Sequence, residues 1–441
     1  MKQVKSAGPI ETRPGHRVRL GLTSQALTSY SGLSLFYALA EALEIPPLLD
    51  AHVRVKKRER GYPESEHILA LAANAFVGGD FLDDLEALRA DQALKVAIGR
   101  EELPDPTTAG DFCRRFTRGH LYQLDRAMGA IFQAVYRRRP EVTTWTLDLD
   151  AKVHEVHGAK KQGAAKAYNG VYSLQPFYAF VDETDELAHV ELRAGNTHPG
   201  AKAVRFLRRC LKKKPAGVRA VFLRSDSALY QREVVALTER EGIEFTITAD
   251  QTAPLLARVE ALPPEAWTPD PEAPMVAYAE CWYQPVRWPR AYRYLVRRRL
   301  KQPEGQAEMF PHYTYTVVVT NRAGEAKALL DWHDGKGTSE KRIEQFTNEI
   351  LPHLPMGQFL ANWVYLLVAS LAYNLTCWLR DLVLPPAYRR KRIKRLRRCL
   401  VLVAGKVVRS SRQLWLKLSA VHHWWKDFSY AWRRIPALAS G

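Results

Sequence analysis

The run from Thr143 to Val153 constrains the chain more than any other. Its residues alternate, so that Thr146, Asp148 and Asp150 share one face of a strand and Leu147, Leu149 and Ala151 the other. An apolar, β-branched run of this kind is expected to lie buried in a sheet, where carboxylates are costly unless they are paired or hold a cation. The strand therefore marks a site. Beyond it, Phe177 to Val181 and Leu187 to Leu192 read as strands joined by a turn at Asp182-Glu183-Thr184-Asp185-Glu186. A helix over about 201–213 leads to a strand from Val218 to Leu223, with Asp226 past its end. A second helix, Glu233 to Glu241, feeds a fifth strand, Ile243 to Thr248. This order predicts an α/β sheet of mixed direction, in which ligands gather at the C-terminal strand ends, where Asp150 and Asp226 both fall. The loop 158–170, rich in Lys and Gly, brings Lys160 and Lys161 beside these acids.

The flanks differ in texture. From Ser24 to Arg138 apolar residues recur at three and four, which predicts helices broken at Pro46-Pro47, Gly61-Tyr62-Pro63 and Pro104-Asp105-Pro106. Thr107 or Thr108 is the expected cap of one helix, and a Gly119-His120 turn precedes a longer one from Leu121 to Arg138. The pair reads as a helix-turn-helix-like DNA-binding region, with a structural helical lid as the alternative. Between 251 and 330, prolines separate three aromatic and β-branched strands, Met275 to Tyr283, Tyr292 to Arg299 and Tyr313 to Thr320, which read as a β-rich insertion. Thr338 or Ser339 is the expected cap of a helix carrying Glu340. The apolar run Phe359 to Leu379 contains Asn362, Tyr373, Asn374 and Thr376 and reads as a buried helix, not a membrane span. A basic run follows, Arg389-Arg390-Lys391-Arg392-Ile393-Lys394-Arg395-Leu396-Arg397-Arg398, then a hairpin over 399–419 and an aromatic end, His422-His423-Trp424-Trp425, expected to pack back. The expected division is a helical region 1–140, a catalytic domain of 141–250 and 331–385, the insertion 251–330 and a basic DNA-binding tail 386–441.

The partner follows from charge. With 65 Lys and Arg against 47 Asp and Glu, the chain carries +18 and calls for a polyanion; eight of the ten residues from 389 to 398 are basic, a density that a phosphate backbone relieves. Five scattered cysteines form no disulfide frame or Cys-based zinc site, and residues 1–20 carry no apolar core, so the expectation is a cytoplasmic protein without a signal peptide. No Gly-rich phosphate loop, dinucleotide fingerprint or serine elbow is present. Three carboxylates from separate elements, Asp150, Asp226 and Glu340, suit two hard divalent cations and in-line attack on a phosphodiester. A cap, an ion pair or a turn is the alternative for each acid taken alone.

Several segments together resemble the DDE transposases of bacterial insertion sequences, in the branch with a β-rich insertion between the second and third acids. They are Leu147-Asp148-Leu149-Asp150-Ala151, Gly195-Asn196-Thr197-His198, Leu223-Arg224-Ser225-Asp226-Ser227-Ala228-Leu229-Tyr230, Gly337-Thr338-Ser339-Glu340-Lys341-Arg342-Ile343-Glu344 and Ala372-Tyr373-Asn374-Leu375. The resemblance implies a ribonuclease-H-like fold and cut-and-paste transposition of double-stranded DNA, by a homodimer bridging terminal inverted repeats and away from membranes. It implies Asp150, Asp226 and Glu340 as catalytic ligands of two Mg²⁺ or Mn²⁺ ions, with Asp148 as the alternative to Asp150. DNA contacts are expected from Lys160, Lys161, Lys336, Lys341, Arg342, Arg389, Arg390, Lys391, Arg392, Lys394, Arg395, Arg397 and Arg398, and base stacking from Trp282 or Trp288. Where the family usually has Tyr, Arg, Glu and Lys, this chain has His333, Lys336, Glu340 and Thr347, and Lys152 stands where Thr is common. These departures predict slow cutting or, as the alternative, a DNA-binding protein that has lost catalysis. A third reading is an RNA-processing nuclease on the same fold.

Overall fold

The structure, a computed structural model, describes residues 22–56, 58, 61–158, 160–167, 169–301 and 312–439. The N-terminal helices include α1 (Leu33–Ala42), α2 (Ile45–His52), α3 (Glu64–Val77), α4 (Pro106–Arg114) and α5 (Arg118–Arg137). The helix expected to start at Thr107 or Thr108 is instead capped by Asp105, whose Oδ1 accepts from the Thr108 amide at 2.9 Å, with Pro106 in the first turn. Likewise Thr117 caps α5, accepting from the His120 amide at 3.4 Å, so Gly119 and His120 lie inside the helix. Helical geometry tolerates that glycine because the cap fixes the first turn from outside.

Five strands form the heart of the sheet: β1 (Thr144–Ala151), β2 (Phe177–Val181), β3 (Leu187–Glu191), β4 (Ala220–Ser225) and β5 (Glu244–Thr248). β2 and β3 run antiparallel to their neighbours, whereas β4 pairs with β1, and β5 with β4, in parallel. The order β3-β2-β1-β4-β5, with helix α6 (Ala203–Leu211) between β3 and β4 and α7 (Arg232–Arg240) between β4 and β5, is the ribonuclease-H-like arrangement. Leu147 and Leu149 are fully buried on one face of β1, as the alternation predicts.

The insertion strands do form, with helix α8 (Ala253–Glu260) ahead of them. They are a short β6 (Thr268–Pro269), then β7 (Val276–Tyr283), β8 (Tyr292–Leu300) and β9 (Tyr313–Thr320). They extend the same sheet: β9 pairs antiparallel with β5, Val318 opposite Thr248, and the whole has nine strands. The return to the site is made by α9 (Ala326–Asp334) and α10 (Gly337–Glu349). The expected cap at Thr338 or Ser339 is corrected here. Gly335 and Lys336 alone separate the two helices, Thr338 and Ser339 lie inside α10, and the Thr338 hydroxyl bonds back to the Gly335 carbonyl at 2.8 Å.

The long apolar run is α11 (Phe359–Trp378), buried between the N-terminal helices, notably α3, and the sheet at β3. Its two asparagines are satisfied internally. Asn374 Oδ1 accepts from the Leu187 amide at 2.8 Å while its Nδ2 donates to the Leu187 carbonyl at 3.0 Å, and Asn362 makes the same double contact with Met356. One continuous hydrophobic core thus joins the N-terminal helices to the sheet. After the basic run come the hairpin β10 (Gly405–Ser410) and β11 (Gln413–Leu418), turned by Ser411 and Arg412 in left-handed conformations, and α12 (Trp425–Leu438). The aromatic end packs back only in part. Trp424 lies under the Arg395 guanidinium at 5.0 Å, but Trp425 stays half exposed.

Candidate active site

Asp148 and Asp150 point to the same face of β1 but meet different surroundings. Asp148 is fully buried. Arg224 grips it in a fork, Nε to Oδ1 at 2.7 Å and Nη2 to Oδ2 at 2.9 Å, and Arg342 adds a bond to Oδ2 at 3.0 Å. The two guanidiniums continue outward. Arg224 reaches Asp182 at 2.9 Å, and Arg342 reaches Asp182 and Asp185, each at 2.6 Å, in the β2–β3 turn. Both oxygens of Asp148 are taken up by guanidiniums, so it is a structural hub and the alternative of Asp148 as metal ligand is set aside. Its partners sit two residues from the other two acids, Arg224 before Asp226 and Arg342 after Glu340. One buried carboxylate thereby fixes β4 and α10 against β1.

Asp150, one strand repeat further on, opens toward solvent with 16% of its side chain exposed. Asp226 lies just past β4, where its Oδ1 accepts from the Ala228 amide at 3.1 Å, and is 44% exposed. Glu340 occupies the first turn of α10, a position that the helix dipole favours for an acid, and faces solvent. The Lys336 ammonium stands between two of them, 3.9 Å from Asp150 Oδ2 and 3.9 Å from Asp226 Oδ2. Burial pushes the Asp150 carboxyl up to about 6; the Lys336 charge and the Ala151 amide pull it down, while the charges of Asp226 and Glu340 push it further up. The charges of both other acids therefore reach Asp150. Their oxygen donors suit hard divalent cations, although among the described residues no three acids, histidines or cysteines are already drawn tightly around one point.

The unusual residues near Glu340 have local explanations. His333 is buried and shares its two ring nitrogens with Thr246 Oγ1 at 2.8 Å and Thr248 Oγ1 at 3.0 Å; burial lowers its pKa to about 4, so it stays neutral and anchors α9 to β5. Lys336, one turn on, inherits that anchorage. The Lys152 ammonium donates to Thr347 Oγ1 at 3.2 Å, so a lysine from the end of β1 reaches the position on α10 where a lysine is missing. The two departures are reciprocal in space.

The expected DNA contacts divide. Lys160, Lys341, Arg389, Arg390, Lys391, Lys394, Arg395 and Arg398 are exposed. Lys341, Arg390, Lys391 and Arg392 line a cleft of about 760 Å³ beside α10, although Arg392 also pairs with Glu349 at 3.0 Å. Arg342 is corrected to the buried ion network above. Arg397 is corrected too, since its Nε donates to the Phe76 carbonyl at 2.7 Å and its Nη2 to the Ala75 and Glu349 carbonyls, which staples the tail to α3 and α10. Lys161 donates to the Leu354 carbonyl. Of the two tryptophans, Trp288 packs against Tyr230, ring centroids 5.1 Å apart, and Trp282 is 58% exposed on β7. Sequence reasoning missed Arg224, Asp182 and Asp185, the residues that hold the acids in place; the signal was the Arg two positions before Asp226.

With this geometry in view, the family model described as "Transposase DDE domain group 1" matches residues 11–440. The chain belongs to this family. Its DDE domain thus falls among those that act on phosphodiester bonds during transposition. A piggyBac transposase synaptic complex with hairpin DNA, determined by cryo-EM, aligns over 86% of this chain and 82% of its own, at 11% identity and a TM-score of 0.43. That distance carries no residue-level correspondence for this DDE transposase. No curated protein matches the chain.

Proposed function

We propose that the chain is a cut-and-paste transposase that binds terminal inverted repeats, cuts double-stranded DNA beside them and joins the freed 3′ ends to a target, acting as a dimer on DNA. The observation that carries this reading is the Lys336 ammonium, 3.9 Å from both Asp150 and Asp226, with the charge of Glu340, from a third element, acting on the Asp150 carboxyl. Asp150, Asp226 and Glu340 would hold two Mg²⁺ or Mn²⁺ ions, which when bound activate the attacking oxygen and neutralise the leaving one. The chain's own residues supply the rest. Asp148 holds the three acids in register, Lys336 offers its charge to the scissile phosphate, and the cleft of Lys341, Arg390, Lys391 and Arg392 gives the backbone a path to the acids. Trp282 presents an open ring face for an unpaired base.

The test is cleavage of a plasmid carrying the flanking repeats in the presence of Mg²⁺. Wild type should cut and Glu340→Gln should not; equal cutting by both would remove Glu340 from the site. A second reading, a DNA-pairing protein that cuts weakly, is favoured by Lys336 lying against two of the acids. It predicts repeat binding that survives substitution of all three acids and no metal-dependent nicking by wild type.

A further inference from the structure

A second basic site lies at the same end of the sheet as the acids. β3 runs in the direction of β1, and the pairing of Ala151 with Phe177 and of Phe177 with Glu191 puts the end of β3 level with the end of β1. Two strand spacings, ~10 Å, separate them. Beyond the end of β3, a cavity of about 240 Å³ is lined by Arg118, Tyr122, Arg193, Lys202, Phe359 and Trp363, together with Arg205 and Arg209. Arg205 and Arg209 are already compensated, since they grip the two oxygens of Glu191 at 2.8 and 2.6 Å. Among the described residues, Arg118, Arg193 and Lys202 have no such carboxylate.

Arg193 is the telling member. It is only 7% exposed, and its guanidinium is locked by donation to the carbonyls of Gln175 at 3.2 Å and Pro199 at 2.6 Å and by Phe177, whose ring centre is 4.5 Å away. Yet Nη2 has no hydrogen-bond partner. A buried cation with an unused donor is costly, and an anion in the cavity would satisfy both the charge and the donor. Burial also lowers the Arg193 pKa to about 10, against the opposing charge of Glu191. Lys202, which starts α6, is held in a left-handed conformation at φ 61°, a strain that a non-glycine residue keeps only where its surroundings enforce it. The opposite wall is aromatic, with Tyr122 52% exposed.

We infer that this cavity binds an unpaired, phosphate-bearing nucleotide, the phosphate on Arg193, Arg118 and Lys202 and the base against Tyr122 and Trp363. The inference rests on DNA being the substrate, and places in this cavity a nucleotide of a strand leaving the acids. It does not require that the acids be active.

The test uses the full chain carrying Glu340→Gln and a labelled, 5′-phosphorylated single-stranded oligonucleotide followed by fluorescence anisotropy. Arg118→Ala with Lys202→Ala, both at exposed positions, should weaken binding ~10-fold and reduce the slope of log affinity against log salt by about 1.4. Tyr122→Ala should weaken it at least ~5-fold with the slope unchanged. Arg193→Gln should also weaken binding ~10-fold and reduce the slope by about 0.7, with a thermal melt to show that the fold persists. A mononucleotide should compete, and inorganic phosphate only at far higher concentration; equal competition by inorganic phosphate overturns the nucleotide and leaves a free-anion site. Unchanged affinity and slope in the double variant overturn the pocket, whatever the cleavage assay shows. Intact pocket binding in a protein whose wild type never cuts overturns the catalytic reading alone.

Discussion

Asp148 and Asp150 differ by one strand repeat; burial pushes both carboxyls up, but two guanidiniums hold Asp148 whereas Asp150 has a single ammonium at 3.9 Å. Asp148 is buried against two guanidiniums. Asp148→Asn leaves two buried cations short of a counter-charge and should destabilise the fold by about 3–5 kcal/mol, read by denaturant unfolding. Asp150 is held in an environment that raises its pKa to about 6, so the native state takes up a proton more readily than the unfolded chain does. Its ionised form therefore opposes folding above pH 6, and that cost disappears as the pH falls below about 4, where both states are protonated. In metal-free buffer Asp150→Asn should be more stable than wild type at pH 8, by roughly 1–3 kcal/mol, and the gap should close by pH 4. A destabilised Asp150→Asn would place that carboxylate in a structural ion pair instead. The alternation of residues 143–153 is enough to place both acids on one face. Which of them is open depends on Arg224 and Arg342, remote in sequence, and no local pattern encodes that.

At the scale of elements, β1, β2, β3, β4 and β5 lie close to where alternation and turn residues put them, because each is a short apolar run bounded by clear breakers. The helices around Glu340 were less legible. α9 carries Asp331, Asp334 and His333 on a mixed surface, and Gly335 reads as a loop although it is a tight link between two helices. The strands of the insertion were legible, but not their partner, since pairing of β9 with β5 joins residues about seventy positions apart, Val318 and Thr248. Lys152 and Thr347 show the same limit from the other side. Read separately they look like losses; across the contact between the end of β1 and α10 they form one donor–acceptor pair at 3.2 Å. Exchange of the pair tests this. Lys152→Thr and Thr347→Lys should each reduce plasmid cleavage ~10-fold, and the double exchange should recover most of it, a coupling that independent sites do not show. Additive losses in the double variant would mean that the lysine acts elsewhere.

For the whole molecule, a net charge of +18 predicts binding to polyanions but cannot say which cations meet them. The fold sorts them. Arg397 is spent on three backbone carbonyls of α3 and α10, and Arg342 on three carboxylates, so both join the parts of a single core that runs from α1 to α12. Lys341, Arg390 and Lys391 remain on the cleft wall. Affinity for duplex end repeats should therefore fall steeply with salt, and replacing Lys341, Arg390 and Lys391 together by Ala should reduce the slope by about 2.7 with little change in Tm. Arg397→Ala should do the reverse, lowering Tm by several degrees because buried carbonyls lose their donors, while the slope stays at the wild-type value. Measuring both quantities on both variants separates charge that holds DNA from charge that holds the protein. A loss of salt slope in Arg397→Ala without loss of Tm would return that residue to the DNA surface and reopen the assignment of the basic run as a whole.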